Sequence, residues 1–257
     1  MHEEEIILES RFGEVPTWVV EPAGAGPWPG VVVLHDANGM STDVRNQARW
    51  LAEAGFLAAA PDLYRGGPKV RCMIRIMRDL LAGRDDAPMS AIEAARRHLV
   101  EHERGTGRVG VIGFCMGGGF ALMLAVRGEY QAASVNYGGL TKEVEAALPR
   151  ACPIVASYGG RDPTLRGAAT KLEHMLDAHA IPHDVKEYPQ AGHGFMNDHA
   201  PSEAPWLFVV LGRLSRTRYD PEANRDARLR IVSFFREHLG GASSDERRKH
   251  VGTHSAT

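Results

Sequence analysis

Arg108-Val-Gly-Val-Ile-Gly113-Phe-Cys115-Met-Gly117-Gly-Gly119 is an apolar run that passes directly into a segment of small residues. Val109, Val111 and Ile112 around Gly110 read as a strand buried on both faces. The Gly- and Ala-rich stretch after it, 117–127, reads as a helix packed tightly on a sheet. At the junction stands Gly113-x-Cys115-x-Gly117, the spacing of a nucleophile elbow with cysteine in place of serine. Such a turn holds the nucleophile in a strained backbone conformation, and a Cβ two residues to either side would collide with its neighbours, so glycine is needed at both positions. The turn also sets the sulfur at a helix N-terminus, where the macrodipole and free N–H groups favour an anion. Two other readings compete. Cysteine is often a small buried hydrophobe, but its place inside the elbow argues against that. Gly110-x-x-Gly113-x-x-x-Gly117 also loosely resembles a dinucleotide-binding turn, which needs glycine where Cys115 stands and an acid at the end of the next strand, near Asn136, where none occurs.

Working outward, short β-rich runs alternate with segments of helical period, the pattern of an α/β protein with a mostly parallel central sheet flanked by helices. The strands are expected at 17–20, 30–34, 56–60, 108–112, 132–136, 153–157 and 184–188. Helices are expected at 43–54, 70–81, 88–101, 117–127, 166–180 and 221–239. One domain over 1–240 accommodates all of them. The segment 199–220 carries Pro201, Pro205 and Trp206 without a clear period and is expected to form a lid or flap. The small, polar residues 241–257 are expected to be a flexible C-terminal tail.

Composition narrows the function classes. The 30 Lys and Arg residues against 32 Asp and Glu leave a net charge of -2, which gives no global field for nucleic acid or an anionic membrane. Three cysteines, Cys72, Cys115 and Cys152, make no disulfide framework and no C-x-x-C site, which fits a reducing cytoplasm. The acidic Met-His-Glu-Glu-Glu start is expected to be mature rather than a secretory signal. No apolar run approaches the roughly 18 to 20 residues of a membrane span. The expectation is a monomer or homodimer acting on a small molecule, without nucleic-acid or membrane partners.

An elbow nucleophile calls for an acid and then a histidine downstream. Pro153-Ile-Val-Ala-Ser-Tyr-Gly-Gly-Arg-Asp162 is an apolar strand that ends in a Gly-Gly turn and an acid. Asp184-Val-Lys-Glu-Tyr-Pro-Gln-Ala-Gly-His193-Gly-Phe is a second strand and turn that delivers a histidine flanked by glycines. Both would reach the carboxyl edge of the sheet, where open α/β sheets place their ligands. Asp162 precedes Pro163 and could instead form a turn. A metal site is disfavoured: there is no H-E-x-x-H, and Pro182 interrupts His179-x-x-x-His183.

With these motifs assembled, the chain resembles the dienelactone hydrolase family of cysteine-dependent α/β-hydrolases. Gly113-Phe-Cys-Met-Gly-Gly, Tyr158-Gly-Gly-Arg-Asp162, Ala191-Gly-His193-Gly-Phe and Pro61-Asp-Leu-Tyr-Arg-Gly66 match its pattern in order, over about 18–239. The resemblance implies Cys115 as nucleophile, His193 as base and Asp162 as its orienting acid, with the oxyanion hole at the N–H groups of Met116 and Ala37. It implies no metal or organic cofactor.

Two positions depart from the family pattern. The family's thiol-activating glutamate corresponds to Asp36, one methylene shorter, which could act on the thiol or cap its loop. A substrate-binding arginine four residues past the histidine is replaced by Asn197, which is expected as a candidate substrate contact in its place. The family's second arginine has candidates in Arg71, Arg75 and Arg78. Loss of one arginine from a carboxylate clamp would weaken carboxylate binding roughly ten- to hundredfold. Trp206 and the apolar residues after it could instead offer the substrate apolar surface. The expected activity is hydrolysis of a small ester or lactone through an acyl-cysteine, as in a carboxymethylenebutenolidase. A broad carboxylesterase or thioesterase, and a non-catalytic ligand-binding hydrolase fold, are the alternatives.

Overall fold

Val31–Leu34 and Val109–Ile112 lie side by side as parallel strands, with every apolar side chain among them buried, which is why both runs lack polar alternation. The structure is a computed structural model that describes residues 1–81, 87–200, 202–203, 205, 208–210, 212 and 216–240. Its strands are β1 (His2–Ser10), β2 (Gly13–Glu21), β3 (Trp28–Leu34), β4 (Leu57–Pro61), β5 (Gly105–Phe114), β6 (Ala132–Asn136), β7 (Ile154–Gly159) and β8 (His183–Tyr188). They form one sheet in the order β1-β2-β4-β3-β5-β6-β7-β8. β1 and β2 pair antiparallel with each other, and β2 antiparallel with β4, while every other neighbouring pair is parallel.

The helices are α1 (Thr42–Glu53), α2 (Lys69–Leu81), α3 (Ala87–Glu101), α4 (Met116–Ala125), α5 (Lys142–Ala147), α6 (Ala168–Ala178) and α7 (Pro221–Leu239). Two buried clusters lie on opposite faces of the sheet. One is built with Ile92 and Leu99 of α3, Phe120 of α4, and Leu172 and Leu176 of α6. The other contains Val44, Ala48 and Leu51 of α1 with Ile231, Phe234 and Phe235 of α7. Each fully buried side chain of this size contributes about 1.5 to 3 kcal/mol. Together the layers make the three-layered, mostly parallel architecture of an α/β-hydrolase.

Each expected strand and helix has a counterpart, with ends displaced by a few residues. Strand β1 and helix α5 were not anticipated. The β1 run is heavily acidic and sits at the sheet edge, where charged side chains deter further pairing. There Glu3 bonds Arg49 at 2.8 Å and Glu5 bonds Arg45 at 3.1 Å, so α1 supplies the countercharge. Of the expected lid, Glu203 accepts from the Thr42 hydroxyl at 2.7 Å, and Lys69 donates to the Glu203 carbonyl at 2.9 Å. Val209 and Val210 are exposed. Trp206 and the tail 241–257 lie outside the described residues.

Candidate active site

Cys115 occupies the single residue between β5 and α4, at φ 53° and ψ -111°. The glycines around it are steric necessities. A Cβ on Gly113 would lie 1.9 Å from the Gly117 carbonyl oxygen, and one on Gly117 would lie 2.4 Å from the Leu34 carbonyl oxygen. The second approach brings the elbow against the end of β3 and the loop that carries His35, Asp36 and Ala37. Met116 opens α4 directly after Cys115 and Ala37 belongs to that loop, so the two expected oxyanion donors come from different elements.

Asp162 and His193 are brought together by the adjacent ends of β7 and β8. A Cβ on Gly159 would meet the Gly192 carbonyl oxygen at 2.4 Å, so only glycine lets the histidine loop lie this close to the acid's turn. Arg161 N–H donates to the Ala191 carbonyl at 2.9 Å and locks the two turns together. The Asp162 carboxylate is buried. Its Oδ2 lies 2.6 Å from His193 Nδ1, and its Oδ1 accepts from the Thr164 N–H at 2.8 Å and hydroxyl at 2.6 Å. Burial works to raise the Asp162 pKa, but the bonds from His193 and Thr164 hold it below the usual carboxylate value. Burial likewise opposes charge on His193, yet its hydrogen bonds to Asp162 and Cys115 push its pKa up to about 10. With Nδ1–H on Asp162, the Nε2 side is left for the sulfur.

The loop after β3 is fixed from several directions. His35 Nε2 accepts the Leu63 N–H at 3.1 Å, so the ring's proton is on Nδ1, which donates to the Asp36 carbonyl at 2.7 Å. A planar trans peptide then points the Ala37 N–H the opposite way. Tyr64 donates its hydroxyl to the Ala37 carbonyl at 2.9 Å. Asp36 is engaged at both carboxylate oxygens: Oδ1 accepts the Asn38 N–H at 2.8 Å, and Oδ2 lies 2.6 Å from His199 Nε2. This is the loop-capping geometry, with an added ion pair to His199.

Asn197 is turned inward and buried, which corrects its expected role as a substrate contact. Its Oδ1 accepts from Tyr137 and its Nδ2 donates to Asp43 Oδ2 at 2.6 Å, so both ends of the amide are spent on the scaffold. Asp43 also accepts the Asp198 N–H at 2.9 Å, and Gln47 donates to the Met196 carbonyl at 2.9 Å. Tyr137 sets its ring edge-on to His193, with centroids 5.2 Å apart. Asp43, Gln47, Tyr137 and His199 were missed by sequence reasoning because nothing local marks them. Arg75 and Arg78 project from α2 and, with Tyr64, Arg65 and Arg71, line a groove of about 550 Å³.

A strained cysteine on a strand-to-helix turn, with an aspartate-bound histidine, on this sheet defines an α/β-hydrolase. Residues 15–239 match the model of the dienelactone hydrolase family, and the chain belongs to that family. The carboxymethylenebutenolidases of Pseudomonas putida and Pseudomonas knackmussii are each 27% identical over 202 residues, covering 75% of this chain and 85% of theirs. Among solved structures, a dienelactone hydrolase-like promiscuous phosphotriesterase from metagenomic libraries superposes with a TM-score of 0.77 at 24% identity, over 93% of this chain and 99% of its own. The dienelactone hydrolase of Anabaena variabilis gives a TM-score of 0.65 at 21% identity, over 93% and 98%.

Proposed function

We propose that this chain hydrolyses small carboxylic esters or lactones through an acyl-cysteine intermediate on Cys115. The observation that carries the reading is the 2.6 Å bond between His193 Nδ1 and buried Asp162, which leaves Nε2 for Cys115 at the elbow; Asp162 and Cys115 outweigh burial and push the His193 pKa up to about 10. Such a histidine is an imidazolium at neutral pH, the counterion that a thiolate needs.

The thiolate attacks the acyl carbon. As the S–C bond forms, the carbonyl π pair moves onto oxygen, which the N–H groups of Met116 and Ala37 receive. Collapse restores the carbonyl and breaks the acyl C–O bond, and the leaving oxygen takes the Nε2 proton of His193. In a lactone this alcohol stays tethered to the acyl group. The neutral imidazole then removes a proton from water as the water oxygen attacks the thioester. A second collapse expels thiolate beside the re-formed imidazolium, releases the carboxylic acid and restores the resting pair. Asp162 accepts Nδ1–H throughout and fixes the tautomer. A reducing compartment such as the cytoplasm keeps this thiol available.

The α2 groove supports a substrate with an anionic group. With Asn197 turned inward, the exposed Arg71 and Arg75 share this groove with Tyr64, which braces Ala37. Their presence offsets the loss at position 197 and favours carboxylate-bearing substrates over the neutral ones that Asn197 alone would suggest.

Replacement of Cys115 by alanine tests the reading. Turnover of a chromogenic acetate ester should fall by several orders of magnitude with the fold retained. Iodoacetamide should label Cys115 ahead of buried Cys72 and of Cys152, whose thiol burial pushes up to about 12. Full turnover in a folded Cys115→Ala protein overturns the assignment.

A further inference from the structure

We propose that His199 is a positioning residue of this hydrolase: as an imidazolium it clamps Asp36, and through it the Ala37 oxyanion loop, to the segment that carries His193. The proposal rests on the function argued above but concerns a residue outside the triad.

Three observations carry it. The first is connectivity. Asp36 and Ala37 belong to the loop after β3, while His199 lies six positions beyond His193, and the 2.6 Å pair of Asp36 Oδ2 with His199 Nε2 joins the two directly. Both side chains are largely shielded, at 12% and 15% exposure, so solvent screens the pair less than it would a surface ion pair.

The second is that each flank of the pair is tied down. Behind Asp36, its own carbonyl is held by His35 and the Ala37 carbonyl by Tyr64. Beside His199, Asn197 and the Asp198 N–H are held by Asp43 on α1, and Glu203 accepts from Thr42 at the α1 N-terminus. The Asp36–His199 bond is therefore the cross-brace between two otherwise separately anchored loops. It sits on the oxyanion side of the site, whereas the Cys115–His193–Asp162 chain does not pass through it.

The third is charge. Asp36 from the β3 loop, Asp43 from α1 and Glu203 from its own segment all face His199; Lys69 from α2 bonds the Glu203 carbonyl, and neutral His35 lies behind Asp36. His199 Nε2 meets Asp36 while its buried Nδ1 has no hydrogen-bond partner among the described residues, so the imidazolium is favoured by the surrounding carboxylate charge rather than by a second bond. Burial disfavours that charge, but the Asp36 bond and the surrounding acids raise the His199 pKa. Burial is likewise outweighed at Asp36, whose pKa is lowered by His199. The signs set the working window. The His199 contribution is complete below its unfolded value and is lost as pH rises through the raised one. The Asp36 contribution is complete above its unfolded value and is lost as pH falls through the lowered one.

The test compares the whole protein with His199→Ala and His199→Gln, using kcat for a chromogenic ester from pH 5 to 10 and the rate of Cys115 alkylation by iodoacetamide. His199→Ala should lose roughly ten- to hundredfold in kcat while Cys115 alkylation stays within about twofold of wild type. His199→Gln keeps a donor towards Asp36 without a titrating charge. It should recover part of kcat and lose the alkaline inflection that the titration of His199 gives wild type. Wild-type kcat and pH profile in either folded variant overturns the clamp, as does a parallel fall of kcat and alkylation. Failure of the underlying reading looks different: wild-type enzyme alkylated at Cys115 would then keep its turnover.

Discussion

Replacing Asp162 by asparagine isolates the electrostatic half of the catalytic pair. Asparagine is nearly isosteric, and its carbonyl can still accept from the Thr164 N–H and hydroxyl that now bond Oδ1 at 2.8 and 2.6 Å. Its amide nitrogen then faces His193 Nδ1 and donates where the carboxylate accepted. Two losses follow. The charge-assisted bond, worth about 1.5 to 3 kcal/mol, disappears and with it roughly ten- to hundredfold in the stability of the imidazolium. The donated amide also enforces the tautomer with Nε2 protonated and Nδ1 bare, which cannot accept the water proton; in the analogous Ser-His-Asp arrangement that reversal brings the loss in kcat to about 10⁴-fold. The same figure is expected here, together with at least a tenfold slower alkylation of Cys115 at pH 7. The sign follows from the raised His193 pKa: the imidazolium is favoured up to about 10 in the native protein, and without Asp162 it discharges at lower pH. Steady-state turnover of a chromogenic ester and a pH series of iodoacetamide labelling read both effects. A folded Asp162→Asn protein within threefold of wild type in both would refute the coupling.

Two further outcomes are expected. Gly117→Ala would force a Cβ to within 2.4 Å of the Leu34 carbonyl and 2.7 Å of the His35 carbonyl, backbone that cannot swing aside. An overpacking cost of about 3 kcal/mol or more should lower the melting temperature by roughly 6 to 12 °C in a calorimetric scan, and an unchanged Tm would mean the elbow is less tightly packed than described. Replacing Arg71 and Arg75 together by alanine should reduce kcat/KM for a carboxylate-bearing ester roughly five- to tenfold and leave a neutral analogue within twofold, since both cations are exposed and partly screened. Equal losses on both esters would remove the groove from substrate recognition.

The contrast between what was legible in the chain and what was not has a physical basis. The elbow could be read because its requirements are local: glycine at 113 and 117 answers contacts within one turn and the adjoining strand end. Asp162 and His193 could be read because each ends a recognisable strand, and a parallel sheet brings such ends to one edge. Strand β1 escaped because its glutamates are matched by Arg45 and Arg49, 40 and 46 positions away. The supports of the site escaped for the same reason. Asp43 meets Asn197 across 154 positions and Asp36 meets His199 across 163, and no periodicity or spacing encodes such pairings. Asn197 illustrates the hazard. The family pattern puts a substrate-facing arginine there, whereas the shorter amide turns inward to bridge Tyr137 and Asp43.

The central claim is covalent chemistry at Cys115, and the most direct measurement is peptide mass mapping of the enzyme quenched during turnover of an activated acyl ester. The mechanism predicts one added acyl group, on the peptide that contains Cys115, labile to hydroxylamine and absent when that residue is alanine. An acyl group found on another residue, with turnover intact in the Cys115→Ala protein, would contradict it.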